Sequence, residues 1–265
     1  MRSGQPDPGS PAGLAGEDGL AVLITGGTRG IGAGLARAFL ASGHRVMICG
    51  RTQPADLPAA DGRAASFRQA DVRDPAQVSS LVRAAADEFG RIDVLVSNAG
   101  GSPEVAASDA SPRFLQKIIE LNLTAPLLVA QAANAVMQAQ QGGGAIIMIG
   151  SVSGTRPSPG TAAYGAAKAG LHHLVTSLAI EWAPKVRLNC VAPGMVATEA
   201  AAEFYGDPTS LAAVLATVPL GRLATPADVA AACLFLASAR ASYISGSTLA
   251  VHGGGEPPAF TVARG

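Results

Sequence analysis

The chain is 265 residues long, with 19 Lys plus Arg against 19 Asp plus Glu and 48% hydrophobic residues. That balance leaves no electrostatic footprint for nucleic acid or an anionic membrane surface, and no apolar run approaches the roughly 20 residues that span a bilayer. Cys49, Cys190 and Cys233 are far apart and form no Cys-x-x-Cys or Cys/His cluster, which points away from a disulfide framework or a metal site and towards reduced thiols in a cytoplasmic protein.

Residues 1–19 are rich in Gly, Pro, Ala and acid; they lack the apolar region of a signal peptide and are expected to form a loose arm. Residues 20–25 form an apolar run that predicts a buried parallel strand. The turn Gly26-Gly27-Thr28-Arg29-Gly30-Ile31-Gly32 follows, then a helical pattern over 33–41. A glycine-rich turn from strand to helix lets backbone N–H groups approach a phosphate at the helix's positive end. Residues 45–49 predict a second strand, ending in Gly50-Arg51-Thr52. In a dinucleotide fold this end faces the adenosine ribose, where an acid would bind a free 2′-hydroxyl and repel a 2′-phosphate. No acid stands there; Arg51 does, with Arg29 in the glycine turn, and two guanidinium groups favour NADP(H) over NAD(H).

A third strand is expected over 65–70, ending at Asp71-Val72, then a helix over 75–89 with Asp74 as N-cap and Pro75 in its first turn. Residues 92–96 predict a fourth strand, ending Ser97-Asn98-Ala99-Gly100. Residues 112–140 carry helical periodicity around Pro126, which is expected to start or kink a turn. The run 145–149 predicts a strand with Ser151 just past its carboxyl end. A long helix over 162–182 holds Tyr164 and Lys168. A sixth strand over 186–191, Pro193-Gly194, a lid over 195–219, a helix over 226–237 and a last strand over 247–251 complete the pattern. Strand and helix alternate without a break in composition, so the fold class is α/β, a single doubly wound parallel sheet over residues 20–255, with a tail over 256–265.

Tyr164 and Lys168 are four residues apart on a predicted helix and reach one small volume. A free tyrosine titrates near pH ~10; an ammonium held nearby favours the phenolate and brings it towards the working range. A serine hydroxyl can polarise a carbonyl. With neither a strong nucleophile nor a metal, the set suits hydride transfer with a cofactor carrying the redox step. His172 and His173 read as packing or interface residues, and Trp182 as core or subunit contact.

These motifs together resemble the short-chain dehydrogenase/reductase family, its 3-oxoacyl reductase-like branch, from about Leu20 to Gly255. Thr25-Gly26-x-x-x-Gly30-x-Gly32 is similar to its cofactor loop and Asn98-Ala99-Gly100 to its sheet-stabilising motif. Asn122, Ser151, Tyr164 and Lys168 match its catalytic tetrad in identity and order, and Pro193-Gly194-Met195-Val196-Ala197-Thr198 its nicotinamide segment. The resemblance implies Tyr164 as acid–base, Lys168 as its pKa partner and ribose ligand, Ser151 on the substrate oxygen, and Asn122 holding a water in a proton relay. It further implies Asp71 on the adenine amino group beside Val72, Val196 backbone on the nicotinamide amide, Thr198 on the phosphates, and a homodimer or homotetramer.

The leading expectation is an NADP(H)-dependent oxidoreductase interconverting a ketone and a secondary alcohol, with an apolar small-molecule substrate. An alternative is a 3-oxoacyl thioester reductase acting on an acyl carrier protein or coenzyme A. Residues 124–155 and 169–180 carry no Lys or Arg, and lid residues 198–221 carry Glu199, Glu203 and Asp207 without a base, a poor dock for an acidic carrier protein. A catalytically silent dinucleotide-binding module is the alternative of another class.

Overall fold

The computed structural model describes residues 19–199 and 208–256. The expected arm up to residue 18, lid residues 200–207 and the tail beyond Glu256 lie outside them. Seven strands form one parallel sheet: β1 (Ala21–Thr25), β2 (Arg45–Gly50), β3 (Ser66–Gln69), β4 (Val94–Ser97), β5 (Gly144–Ile149), β6 (Val186–Pro193) and β7 (Thr248–Val251). Their order across the sheet is 3-2-1-4-5-6-7. Strands β1, β4 and β5 are buried along their whole length, as continuous apolar runs in a sheet covered on both faces must be.

The helices are α1 (Gly30–Ala41), α2 (Pro75–Phe89), α3 (Pro112–Ile119), α4 (Ala125–Ala139), α5 (Ala162–Glu181), α6 (Pro208–Ala216) and α7 (Pro226–Ala237). Two apolar cores flank the sheet. Leu35 and Phe39 of α1 and Val229 of α7 pack with Ile24 on one face; Val82 of α2, Met137 of α4 and Leu171 of α5 pack with Leu95 and Ile146 on the other. This is the doubly wound arrangement expected. Its strand order reverses between β1 and β4, which opens a crevice at the strands' carboxyl ends. Trp182 is 9% exposed and belongs to the core.

Local signals account for most element ends. The Asp74 carboxylate accepts hydrogen bonds from the Ala76 and Gln77 amides at 2.9 and 3.2 Å, and Gly90 closes α2 in the left-handed region at φ 75°. Pro126 starts a helical segment, as expected, but the chain is not broken ahead of it. Helix α3 runs through a π-helical turn, Glu120–Thr124, straight into α4, and the Ala125 N–H donates to the Glu120 carbonyl. Pro126 sits in the first turn of α4; it has no N–H to offer the Asn122 carbonyl four residues earlier, and the widened turn lies directly ahead of it. A small hairpin, Ala59–Ala60 against Arg63–Ala64, is an element the pattern reading missed. Its turn, Asp61-Gly62, has φ values of 50° and 73°.

Candidate active site

The crevice is a continuous cleft of about 560 Å³. At one end the glycine turn joins β1 to α1. Gly26 has φ 64°, and a Cβ on Gly32 would sit 2.1 Å from the Gly26 carbonyl oxygen; only glycines let the turn close on the first turn of α1. Asn98 ties this turn to the sheet. Its Nδ2 donates to the Thr25 and Gly26 carbonyls, both at 3.0 Å, while Thr25 Oγ1 accepts from the Asn98 and Ala99 amides at 3.0 and 3.1 Å. Thr28, Arg29, Gly30, Ile31, Ala99 and Gly100 line the same cleft. Arg29 is exposed at the N-cap of α1. The Gly30 N–H is engaged by a residue distant in sequence: it donates to Glu199 Oε2 at 3.1 Å, so an anionic carboxylate already rests at the positive end of the helix.

Arg51 is exposed directly after β2 and, like Arg29, lines the cleft. Asp71 and Val72 lie beside it. The Asp71 carboxylate is gripped by Arg73, with Nε 2.9 Å from Oδ1 and Nη2 2.5 Å from Oδ2. This contact holds the Asp71 carboxyl at about 2, below the usual carboxylate range. Arg73 also lines the cleft and was not singled out by the sequence reading; the available signal was a base two residues past a strand-end acid.

At the other end Ser151, Tyr164 and Lys168 converge; Pro193 and Gly194 also line the cleft, as does Thr198, whose Cγ2 would lie 3.5 Å from a Cβ on Gly30 of the glycine turn. Lys168 is 3% exposed. Its Nζ donates to the Ile149 carbonyl at 2.8 Å and lies 5.6 Å from the centre of the Tyr164 ring. Burial lowers its pKa to about 8. Tyr164 also responds chiefly to burial, which pushes the phenol above its ordinary value, while a hydrogen bond with the Ser151 hydroxyl opposes the rise. The depressed phenol expected beside an ammonium is therefore not what the protein alone provides; desolvation outweighs it. Ser151 Oγ accepts from the Ser153 amide at 3.1 Å.

Asn122 stands inside the π-helical turn, fully buried. Its Nδ2 donates to the Gly101 and Ile118 carbonyls at 2.9 and 3.0 Å, and its Oδ1 accepts from the Gly101 amide at 2.8 Å. The side chain thus staples the segment after β4 to the helix. The Val196 side chain is 8% exposed and packs into the core with Ile24 and Val229, while its backbone bridges to Ala224. His172 corrects the reading that set it apart from the site: its Nε2 accepts from the Ser151 amide at 3.4 Å. His173 is exposed. Among the described residues no cluster of His, Cys, Asp or Glu could hold a metal ion, and no helix is long and apolar enough to cross a membrane.

The family model described as enoyl-(acyl carrier protein) reductase matches residues 26–256. The chain belongs to the short-chain dehydrogenase/reductase family. It is an oxidoreductase acting on CH–OH/C=O groups, and its relatives include a hydroxysteroid dehydrogenase and a 3-oxoacyl reductase. This dehydrogenase/reductase is 36% identical to a 3α-hydroxysteroid dehydrogenase of Mediterraneibacter gnavus, over 88% of this chain and 95% of the relative. It is 38% identical to a 3-oxoacyl-(acyl-carrier-protein) reductase of Chlamydia muridarum, over 88% and 96%. The ligand-free structure of Thermoplasma acidophilum aldohexose dehydrogenase superposes with a TM-score of 0.81 at 30% identity, covering 88% of this chain and 92% of that one.

Proposed function

We propose that this dehydrogenase/reductase interconverts a ketone and a secondary alcohol using NADP(H). The observation that carries the reading is a single cleft with exposed arginines at one end and Ser151, Tyr164 and Lys168 at the other. The residues fit a dinucleotide phosphate: a carboxylate rests on the Gly30 N–H, so the turn accepts an anion. Arg29 and Arg51 would hold the 2′-phosphate, the Gly26–Gly32 turn and Thr198 the pyrophosphate, and Asp71, shared with Arg73, the adenine. The backbone of Val196 would meet the nicotinamide end, and Pro193 and Gly194 would shape its wall. The cofactor, when bound, supplies or takes the hydride.

In the reductive direction Ser151 Oγ hydrogen-bonds the substrate carbonyl oxygen and polarises it. Tyr164 donates its phenolic proton to that oxygen as the carbon is reduced. Burial keeps the phenol protonated at neutral pH, the form a proton donor needs. Lys168 Nζ, anchored on the Ile149 carbonyl, offers its remaining protons to the ribose hydroxyls and to the phenolate left behind. The Asn122 amide is committed to backbone, so any water in the relay would rest on its main-chain carbonyl.

The substrate is an apolar ketone or alcohol rather than a carrier-bound thioester: residues 124–155, 169–180 and 198–221 carry no Lys or Arg, and an acidic carrier needs a basic dock. The thioester reading draws on the acyl-carrier-protein reductase relative and predicts turnover with acetoacetyl thioesters. Ile180 at 81% exposure and the fully exposed Tyr243 fit burial in a homodimer or homotetramer, which light scattering after size exclusion would measure.

The test is a fluorescence titration of NADPH against NADH on the wild type and on Arg51→Ala. NADPH is expected to bind more tightly, and the variant to lose about tenfold in NADPH affinity, the worth of one charge-assisted hydrogen bond, with little change for NADH. Equal affinities would overturn the 2′-phosphate reading, and binding of neither would overturn the dinucleotide reading altogether, the silent dinucleotide-binding module included.

A further inference from the structure

His172 lies one turn beyond Lys168 on α5, beneath the end of β5. Its Nε2 accepts from the Ser151 amide. Two glycines make room for it: a Cβ on Gly150 would lie 2.4 Å from His172 Nε2, and one on Gly154 would lie 2.8 Å from Cε1. Those glycines bracket Ser151 and the short 3₁₀ turn Val152–Gly154. The imidazole is therefore built into the floor of the turn that presents the serine.

An acceptor at Nε2 requires the neutral ring with its proton on Nδ1. A protonated ring would turn an N–H towards the Ser151 N–H, and the two donors would repel. The groups facing the ring are Lys168 on its own helix, Cys190 of β6, and the Ser151 and Ser153 end of the turn. The Cys190 thiol, 2.6 Å from the same notional Gly150 Cβ, is pushed up to about 11 by burial and is uncharged at neutral pH. The charge acting on the ring is the Lys168 ammonium.

We propose that His172 is a positioning residue that, as the neutral Nδ1–H tautomer, fixes the Ser151 main chain and through it the hydroxyl that meets Tyr164 and the substrate. Its link to turnover rests on the active-site reading above, but its tautomer and its coupling to Ser151 do not. Burial and Lys168 both push the imidazole below its ordinary value, so the contact is kept at neutral pH and released on acidification. Serine positioning then fails on the acid side of the profile, with a midpoint set by His172.

The test is a histidine-detected ¹H–¹⁵N titration of the full chain, with the Ser151 amide followed in parallel and His172 assigned from its absence in His172→Gln. The expected result is an unprotonated Nε2 at about pH 8, a midpoint below the ordinary histidine value near ~6.5, and a Ser151 amide shift with that same midpoint. In His172→Gln the amide oxygen accepts in place of the ring, so Ser151 keeps its wild-type shift and stops titrating. In His172→Phe the Ser151 shift is displaced and flat. An Nε2–H tautomer, or a Ser151 amide that ignores the His172 titration, would overturn the proposal. Failure of the catalytic reading would appear separately, as full activity in Tyr164→Phe.

Discussion

Replacing Lys168 with Met should stabilise the ligand-free protein near neutral pH while removing turnover. Burial holds the ammonium at about 8 against an ordinary 10.5. Each tenfold change in proton affinity is worth about 1.4 kcal/mol, so keeping the charge costs the fold about 3 kcal/mol. Against this, the variant loses the 2.8 Å hydrogen bond to the Ile149 carbonyl, worth about 1–2 kcal/mol. Met fills the same channel without a charge, and the net gain is about 1–2 kcal/mol. The sign with pH follows from the lowered folded-state value. Between about 8 and 10.5 the unfolded chain binds a proton that the folded chain has released, so wild-type stability rises with pH through that window. The variant lacks this slope, and its advantage shrinks and reverses above it. Urea melts of the apo protein at neutral and alkaline pH measure both terms. A variant less stable than wild type at neutral pH, or a gap that does not change with pH, would refute the burial argument.

Tyr164→Phe keeps the ring beside Lys168 but removes the proton donor, and kcat for ketone reduction should fall by about 10²–10⁴ with NADPH affinity unchanged by fluorescence titration. Glu199→Gln removes the carboxylate from the Gly30 N–H; inorganic pyrophosphate and NADPH should both bind severalfold more tightly by calorimetry, and the difference should fade as salt rises. Asn98→Ala deletes two donors to the Thr25 and Gly26 carbonyls and should lower stability by about 1–3 kcal/mol in urea, with cofactor affinity falling alongside.

The order of strands and helices was legible because each is a run of one period ended by Gly, Pro or a capping side chain. Tyr164 and Lys168 were legible because they are four residues apart on one helix, a relation the backbone guarantees. What the chain kept hidden lies in contacts across large separations. Glu199 reaches Gly30 over 169 residues, and no local pattern announces it. The π-helical turn was hidden because Pro126 advertises a break and says nothing of the wider turn that absorbs it. Two features were available and passed over: Asp61-Gly62 is a strong two-residue hairpin signal, and His172 sits four residues past Lys168, the same helical relation that Tyr164 bears to it. The effect of burial on Tyr164 could not be read from residue types, since the Ser151 hydrogen bond pulls the phenol one way and desolvation the other, and only depth decides between them.

Asn98 has a consequence for how such a protein acquires new substrates. Both hydrogens of one amide reach across from β4 to the last carbonyl of β1 and the first of the glycine turn. The two strands flanking the reversal are thereby welded, and the crevice wall for the dinucleotide moves as one body. Variation in this wall is expensive, because any shift must break bonds at both strands at once. The lid after β6 is tied elsewhere: Val196 bridges to Ala224, ahead of α7, and Glu199 reaches the first turn of α1. The dinucleotide wall is thus the part expected to stay constant among relatives whose names span steroid, sugar and acyl chemistries.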